Sequence, residues 1–361
     1  MTQNNPPSLS SYSLLGRSGL RVSPLCLGTM TFGNDWGWGA DAAESRRIFD
    51  RYLDAGGNFI DTANTYTNGN SEKMLGDFMA STGNRERIVL ATKFTITTSP
   101  GDPNATGNGR KNIYRALEAS LQRLKTDYID LYWMHMWDGI TPVEEVVETL
   151  DNLVREGKIR YFGLSDVPAW YLARAQTIAE LRGNAKVAAL QLEYSLTDRN
   201  IEREHVPAAL EMGMGICPWS PLASGFLSGK YSREKDGMGS GQGRMTTDVR
   251  FHHQFTERNW KILDVVQEAA SVLGKTPSQV ALNWITKRPG ITSTIIGASK
   301  LSQLEDNLAA LEFDIPAELS QKLEDASKPG RIHLYDDFFA GEMQAAFRAA
   351  NISKQPGWFG R

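Results

Sequence analysis

A short apolar run followed by a stretch with helical spacing recurs eight times along this sequence, and that alternation constrains the fold more than any other feature. The runs fall at 25–30, 59–60, 87–93, 128–133, 159–164, 187–192, 213–218 and 292–297. Between them, apolar residues recur at i, i+3, i+4 and i+7, the pattern that gives a helix one face for a sheet. Ile48, Phe49, Tyr52 and Leu53 make one such stripe. Val143, Val146, Val147, Leu150, Leu153 and Val154 make another. Asp41 with Glu44, Thr141 with Glu144, and Thr276 with Gln279 have capping-box spacing and predict helix starts. Helices are also predicted at 71–80, 110–124, 168–182, 201–212, 256–273, 277–287 and 301–311.

Alternation of this kind with short connections points to an α/β fold, a parallel sheet closed into a (β/α)8 TIM barrel. An open doubly wound sheet would carry a glycine-rich phosphate loop after its first strand. Here Gly28-Thr29-Met30-Thr31-Phe32-Gly33 follows that strand, and its spacing does not fit. Apolar residues on both sides of Gly16-Arg17-Ser18-Gly19 predict an N-terminal β-hairpin, expected to plug the barrel bottom. The rhythm breaks over 222–250, where Gly237, Gly239, Gly241 and Gly243 follow in quick succession; loops this long inside a domain tend to be functional or disordered. The expected organisation is a disordered lead over 1–11, one barrel domain over 12–330 with extra helices, and a C-terminal tail over 331–361.

Composition excludes several classes of function. Over 361 residues the net charge is −3, so no basic field calls for nucleic acid or an anionic membrane. No run approaches the roughly 18 apolar residues of a spanning helix. The polar N-terminus lacks the apolar core of a signal peptide. The two cysteines, Cys26 and Cys217, lie in apolar runs, as small buried hydrophobes do, and no disulfide framework is expected. A soluble, cytoplasmic protein without a metal centre is the expectation, with subunit number left open.

Active sites of such barrels form at the C-terminal ends of the strands. Asp61, Lys93 and His135 end the second, third and fourth runs, which are neighbours around a barrel, and Tyr66 lies in the loop just past Asp61. A free phenol, with a pKa of about 10, is a poor acid at neutral pH, and a nearby ammonium stabilises its phenolate. Lys93 is expected to supply that charge and so make Tyr66 more acidic, with Asp61 holding Lys93. His135 is expected to hydrogen-bond a substrate oxygen or to relay a proton. A phenol that protonates a carbonyl oxygen needs hydride delivered to the carbon, which no side chain does, so a nicotinamide cofactor is implied. Trp36 and Trp38 in the first long loop, with Trp133 and Trp137 flanking His135, are expected to line a mostly apolar substrate pocket, although such rings also pack loops. A glycosidase would need paired carboxylates. Asp61 and Glu193 are the obvious candidates, and that chemistry leaves Lys93 and Tyr66 without a role.

These segments resemble the aldo-keto reductase superfamily, in the broader branch that includes potassium-channel beta-subunit-like reductases. The resemblance runs over roughly 12–325. It rests on Leu27-Gly28-Thr29-Met30-Thr31-Phe32-Gly33, Asp61-Thr62-Ala63 followed by Tyr66, Thr92-Lys93, His135, the stretch Gly157 to Ser165, Pro218-Trp219-Ser220-Pro221-Leu222, and Ile296-Gly297 with Asn307. It implies a catalytic tetrad of Asp61, Tyr66, Lys93 and His135, with Tyr66 as the acid in reduction. It further implies cofactor contacts at Thr29 and Met30. Ser165 and Gln191 would hold the nicotinamide carboxamide, and Trp219 would stack on the ring. Ser220, Leu222, Gly225 and Lys230 would lie along the pyrophosphate. Ser299 and Lys300 would bind a 2′-phosphate, with Gln303 and Asn307 closer to the adenosine and Gly297 also among the cofactor contacts. Lys300 as a point charge for a 2′-phosphate favours NADPH over NADH. The implied function is reduction of a small aldehyde, ketone or keto-sugar. The alternative is a cofactor-binding regulatory subunit of the potassium-channel beta type with little turnover.

Overall fold

The computed structural model describes residues 8–234, 238–241 and 244–339, together with Met343 and Ala346. Eight parallel strands form a nearly closed barrel: β1 (Leu25–Gly28), β2 (Phe59–Asp61), β3 (Val89–Phe94), β4 (Ile129–Met134), β5 (Ile159–Ser165), β6 (Val187–Glu193), β7 (Gly215–Trp219) and β8 (Thr294–Gly297). Each strand pairs with the next in chain order, and β8 pairs back onto β1 with Thr294 opposite Leu25. The seam between β7 and β8 is bridged by Ile216 opposite Ile291 and by the Thr292 N–H, which donates to the Ile216 carbonyl at 2.8 Å.

Helices α1 (Ala42–Asp54), α2 (Asn70–Thr82), α3 (Arg110–Leu124), α4 (Val143–Arg155), α5 (Ala169–Arg182) and α6 (His205–Met212) follow the first six strands. After the long β7 excursion come α7 (Glu257–Leu273) and α8 (Pro277–Thr286), then α9 (Leu301–Leu308) and α10 (Ala317–Ser327). The α4 stripe read from the sequence is buried at Val143, Val146, Val147, Leu150 and Leu153. Among the described residues no helix is long and apolar enough to cross a membrane.

Strand alternation divides the core in two. Cys26, Phe59, Val89, Ala91, Leu131, Trp133, Ala189, Cys217 and Ile295 fill the barrel interior; the other face of each strand packs the helices. The hairpin Ser13–Leu14/Arg21–Val22 closes the bottom, where Leu15 and Val22 join the interior cluster. Gly16 there has φ +58°, and a Cβ would stand 2.6 Å from the carbonyl oxygens of Ala188 and Gly213, so only glycine admits this approach. Residues 8–11, expected within a disordered lead, instead form a turn with Leu9 buried against the core. Residues 1–7 lie outside the described residues.

Two of the three capping boxes differ from expectation. Thr276 and Gln279 exchange both bonds. Asp41 accepts from the Glu44 N–H, but the Glu44 carboxylate turns to the Leu301 N–H at 2.6 Å and to Arg47. Thr141 caps nothing, because its hydroxyl donates to Asp138, and α4 starts at Val143 uncapped. The helix predicted over 201–212 begins at His205, after a turn over Asn200–Glu202, because Pro207 suits only a first helical turn. Within 222–250 the chain makes a short ribbon, Ser232–Arg233 against Gly239–Ser240, beside Phe255 stacked on Trp260. Gly237 and Gly243 lie outside the described residues. The start of the expected tail turns at Leu334–Phe338 and docks where the Tyr335 hydroxyl donates to Glu204.

Candidate active site

Asp61, Lys93, Tyr66 and His135 do meet at the C-terminal mouth of the barrel. Asp61 closes β2, Lys93 lies near the end of β3, and His135 follows β4 directly. The Lys93 ammonium, fully buried, donates to Asp61 Oδ2, to the Thr62 carbonyl at 2.8 Å and to the Tyr66 hydroxyl at 3.2 Å. The other carboxylate oxygen of Asp61 accepts from Gln191 Nε2 at 3.0 Å, so the carboxylate is held from both sides. It is therefore not a free acid facing Glu193, as glycosidase chemistry would need.

Tyr66 reaches over the mouth because the backbone just after it is bent. Thr67 and Asn68 take left-handed φ values of 46° and 56° within the turn Tyr66–Gly69. Thr67 compensates: its hydroxyl donates to the Phe32 carbonyl at 2.8 Å and accepts from the Ser71 N–H. Behind this turn, fully buried Glu72 accepts from Arg123 on α3 and from the Thr92 hydroxyl, one residue before Lys93. The base of the Tyr66 turn and the strand bearing Lys93 are thus clamped together.

Burial raises Tyr66 above the ordinary tyrosine value; the Lys93 charge pulls it down and Asp61 pushes it up, and burial wins. This corrects the expectation of an acidified phenol: Tyr66 keeps its proton. Burial also opposes charge on Lys93, but Asp61 and Tyr66 outweigh it and its pKa lies above the usual lysine value. His135 is pushed down to about 3 by burial and by the Lys93 charge. The imidazole is therefore neutral near pH 7, with one nitrogen a donor and the other an acceptor. Its Nδ1 is enclosed and has no partner in the protein.

Trp36 packs edge-on against Tyr66 at 6.4 Å and lies 5.4 Å from Trp38, and the Tyr66 and His135 rings are 6.0 Å apart. Trp133 is a correction: it is fully buried in the barrel interior, with its ring against Gly163, and lines no mouth. Trp137 is at the surface, edge-on to Trp170 at 5.7 Å. Trp170 was not singled out by sequence, because the first residues of a helix carry no signal for facing a neighbouring loop.

The residues implied for a cofactor are distributed around the same mouth. Ser165, the last residue of β5, pairs with Gln191 near the end of β6, and both are buried. The Trp219 indole N–H donates to Asp166. Beyond β7, Ser220, Ala223, Ser224 and Gly225 all have positive φ. Such backbone forms anion-binding concavities. A Cβ at Gly225 would stand 3.1 Å from Lys230 Nζ, so the ammonium sits directly over that concavity. This combination fits a pyrophosphate. Thr29 is buried, and its hydroxyl is bonded to the Asp61 carbonyl and Ser71, which leaves the half-buried Met30 nearer the surface. Lys300 is exposed; Gln303 accepts from Ser299, and Asn307 braces the Gly297 carbonyl.

Residues 24–328 match the Aldo/keto reductase family. The chain is 36% identical to norsolorinic acid reductase of Aspergillus flavus, over 90% of this chain and 83% of that protein. It is 35% identical to an aryl-alcohol dehydrogenase [NADP(+)] of Phanerodontia chrysosporium, over 85% and 83%. It is 37% identical to a Schizosaccharomyces pombe protein named for a voltage-gated potassium channel subunit beta, over 86% and 91%. A buried, hydrogen-bonded Asp–Lys–Tyr cluster at the mouth of a parallel barrel, with sequence matching from the first strand to the last helix, leads to one conclusion: this chain belongs to the aldo/keto reductase family of NAD(P)H-dependent oxidoreductases.

Proposed function

We propose that the chain reduces the carbonyl group of aldehydes and ketones, aromatic ones foremost, with NADPH as cofactor and Tyr66 as proton donor. The observation that carries this is the Lys93 ammonium lying between Asp61 and the Tyr66 hydroxyl. Because Lys93 donates to the phenol oxygen, the phenolic hydrogen is left to point elsewhere, toward a substrate oxygen. As that hydrogen leaves, the ammonium is already in place to stabilise the phenolate, an arrangement that needs no reorganisation during reaction. His135, neutral and only partly buried, orients the same oxygen by hydrogen bonding through Nε2, since its Nδ1 is enclosed. The nicotinamide supplies the hydride when bound. Ser165, Gln191 and Trp219 would hold it, and the concavity from Ser220 to Gly225 with Lys230 would hold the pyrophosphate. Aromatic substrates are favoured by the indoles of Trp36 and Trp38 beside Tyr66 and by the name of the aryl-alcohol dehydrogenase relative.

A pH profile tests the proton donor. With Tyr66 raised, reduction, which needs the phenol, should stay level from pH 6 to about 9. Oxidation of the alcohol needs the phenolate, so its rate should still be climbing near pH 10, the ordinary tyrosine value. A plateau of the oxidation rate already at pH 7–8 would mean an acidified group and a different donor.

Preference for NADPH is tested at Lys300. Lys300→Ala should weaken NADPH binding by about 10-fold or more and NADH by less than about twofold, since a hydrogen bond to a charged group contributes roughly 1.5–3 kcal/mol. Equal losses in fluorescence titrations would place the 2′-phosphate elsewhere. The second reading, a regulatory subunit, is favoured by the potassium-channel-named relative. It predicts tight NADPH binding with negligible oxidation across a panel of aryl aldehydes, whereas the reductase predicts steady turnover.

A further inference from the structure

Asp166 joins several strand ends at the barrel mouth. It directly follows β5 and takes the left-handed φ of 45°, a conformation that short polar side chains tolerate better than others. Its N–H donates to the Gln191 carbonyl at 3.2 Å, and its own carbonyl accepts from the Trp137 N–H at 3.3 Å. This bent backbone therefore ties the end of β5 to the end of β6 and to the loop after β4. The carboxylate then reaches across to β7, where Oδ1 accepts the Trp219 indole N–H at 3.0 Å.

That bond has a specific consequence for Trp219. An indole has one N–H, on one edge, and turning the ring over about its long side chain carries that N–H away from any fixed acceptor. A single acceptor on a clamped backbone thus selects one ring orientation. Phenylalanine in place of Trp219 could not be selected in this way. The indole is only partly buried, so packing alone does not fix it.

Building on the nicotinamide placement proposed above, we propose that Asp166 is a positioning residue that acts through Trp219: it locks the indole in the orientation that receives the nicotinamide ring. The bond is charge-assisted, and its acceptor oxygen, rather than its charge, is the functional part. An asparagine, which keeps a side-chain oxygen, should therefore replace it.

The test is a double-mutant cycle on the full chain, read by NADPH affinity from fluorescence titration and by kcat and KM for an aryl aldehyde. Asp166→Ala and Trp219→Phe should each weaken NADPH by about three- to tenfold, and Asp166→Asn should stay within about twofold of the wild type. In the Trp219→Phe background, Asp166→Ala should add less than about twofold. The aldehyde KM should change less than NADPH affinity. Full additivity in the double variant would overturn the proposal, since Asp166 would then act independently of the indole. Asp166→Asn as damaging as Asp166→Ala would also overturn it. A Trp219→Ala variant separates the two levels: if it binds NADPH as the wild type does, the nicotinamide placement itself is wrong. If it binds weakly while Asp166→Ala binds normally, only the positioning role is lost. A melting temperature for each variant shows whether it has folded.

Discussion

Tyr66→Phe is expected to lower kcat for aldehyde reduction by about 10²–10⁴-fold, the usual contribution of a positioned general acid. NADPH affinity should change by no more than a few-fold, because the hydroxyl is removed and the ring stays. The ring has its own contacts: Trp36 edge-on at 6.4 Å, His135 at 6.0 Å, and the Lys93 ammonium 4.8 Å from its centroid. The bent turn that carries it is held by Thr67 through Phe32 and Ser71, not by the phenol oxygen. The substitution should therefore leave the site assembled and remove the proton. Steady-state kinetics beside cofactor titration check this, and a variant within about tenfold of wild-type kcat would remove Tyr66 from its role.

The second large effect is on stability. Lys93 and Asp61 form an ion pair almost wholly out of solvent, with side-chain exposures of 0% and 3%. Breaking a buried pair by removing one member leaves an uncompensated charge and costs about 3–5 kcal/mol. Lys93→Met should show this loss in denaturant unfolding, and Asp61→Leu should show a similar one. Combining the two removes both charges, and the double variant should recover much of the loss, since apolar replacements of buried pairs are often near neutral. It should also remain inactive, because nothing is left to stabilise a phenolate at Tyr66. A single variant that unfolds like the wild type would mean the pair is open to water in solution.

The barrel and the four mouth residues were legible because they follow from strand periodicity. An inward-facing residue at or just past the C-terminal end of a buried parallel strand lies at the mouth, and Asp61, Lys93 and His135 fall at such places on three neighbouring strands, with Tyr66 in the loop beside them. Readings that depended on which way a side chain turns were less secure. Trp133 and Trp137 flank His135 equally in sequence, yet strand alternation sends Trp133 into the barrel and leaves Trp137 in the loop. Glu44 has the spacing of a capping residue but is drawn 257 positions along the chain to the Leu301 N–H. Whether Lys93 or burial sets the Tyr66 proton could not be judged from residue types, since both act on it and only their geometry ranks them. Asp166 had one signal, a carboxylate directly after a strand end, but its partner Trp219 is 53 residues away. The Glu72–Arg123 pair is likewise joined only by the fold.

The most direct test of the account is a single turnover. The protein is loaded with NADPH and mixed rapidly with an excess of an aryl aldehyde, and nicotinamide fluorescence is followed in the wild type and in Tyr66→Phe. The account predicts complete decay in the wild type and a decay at least about 100-fold slower in the variant, from the same starting signal. Persistent fluorescence in the wild type, or equal decay in both proteins, would contradict it.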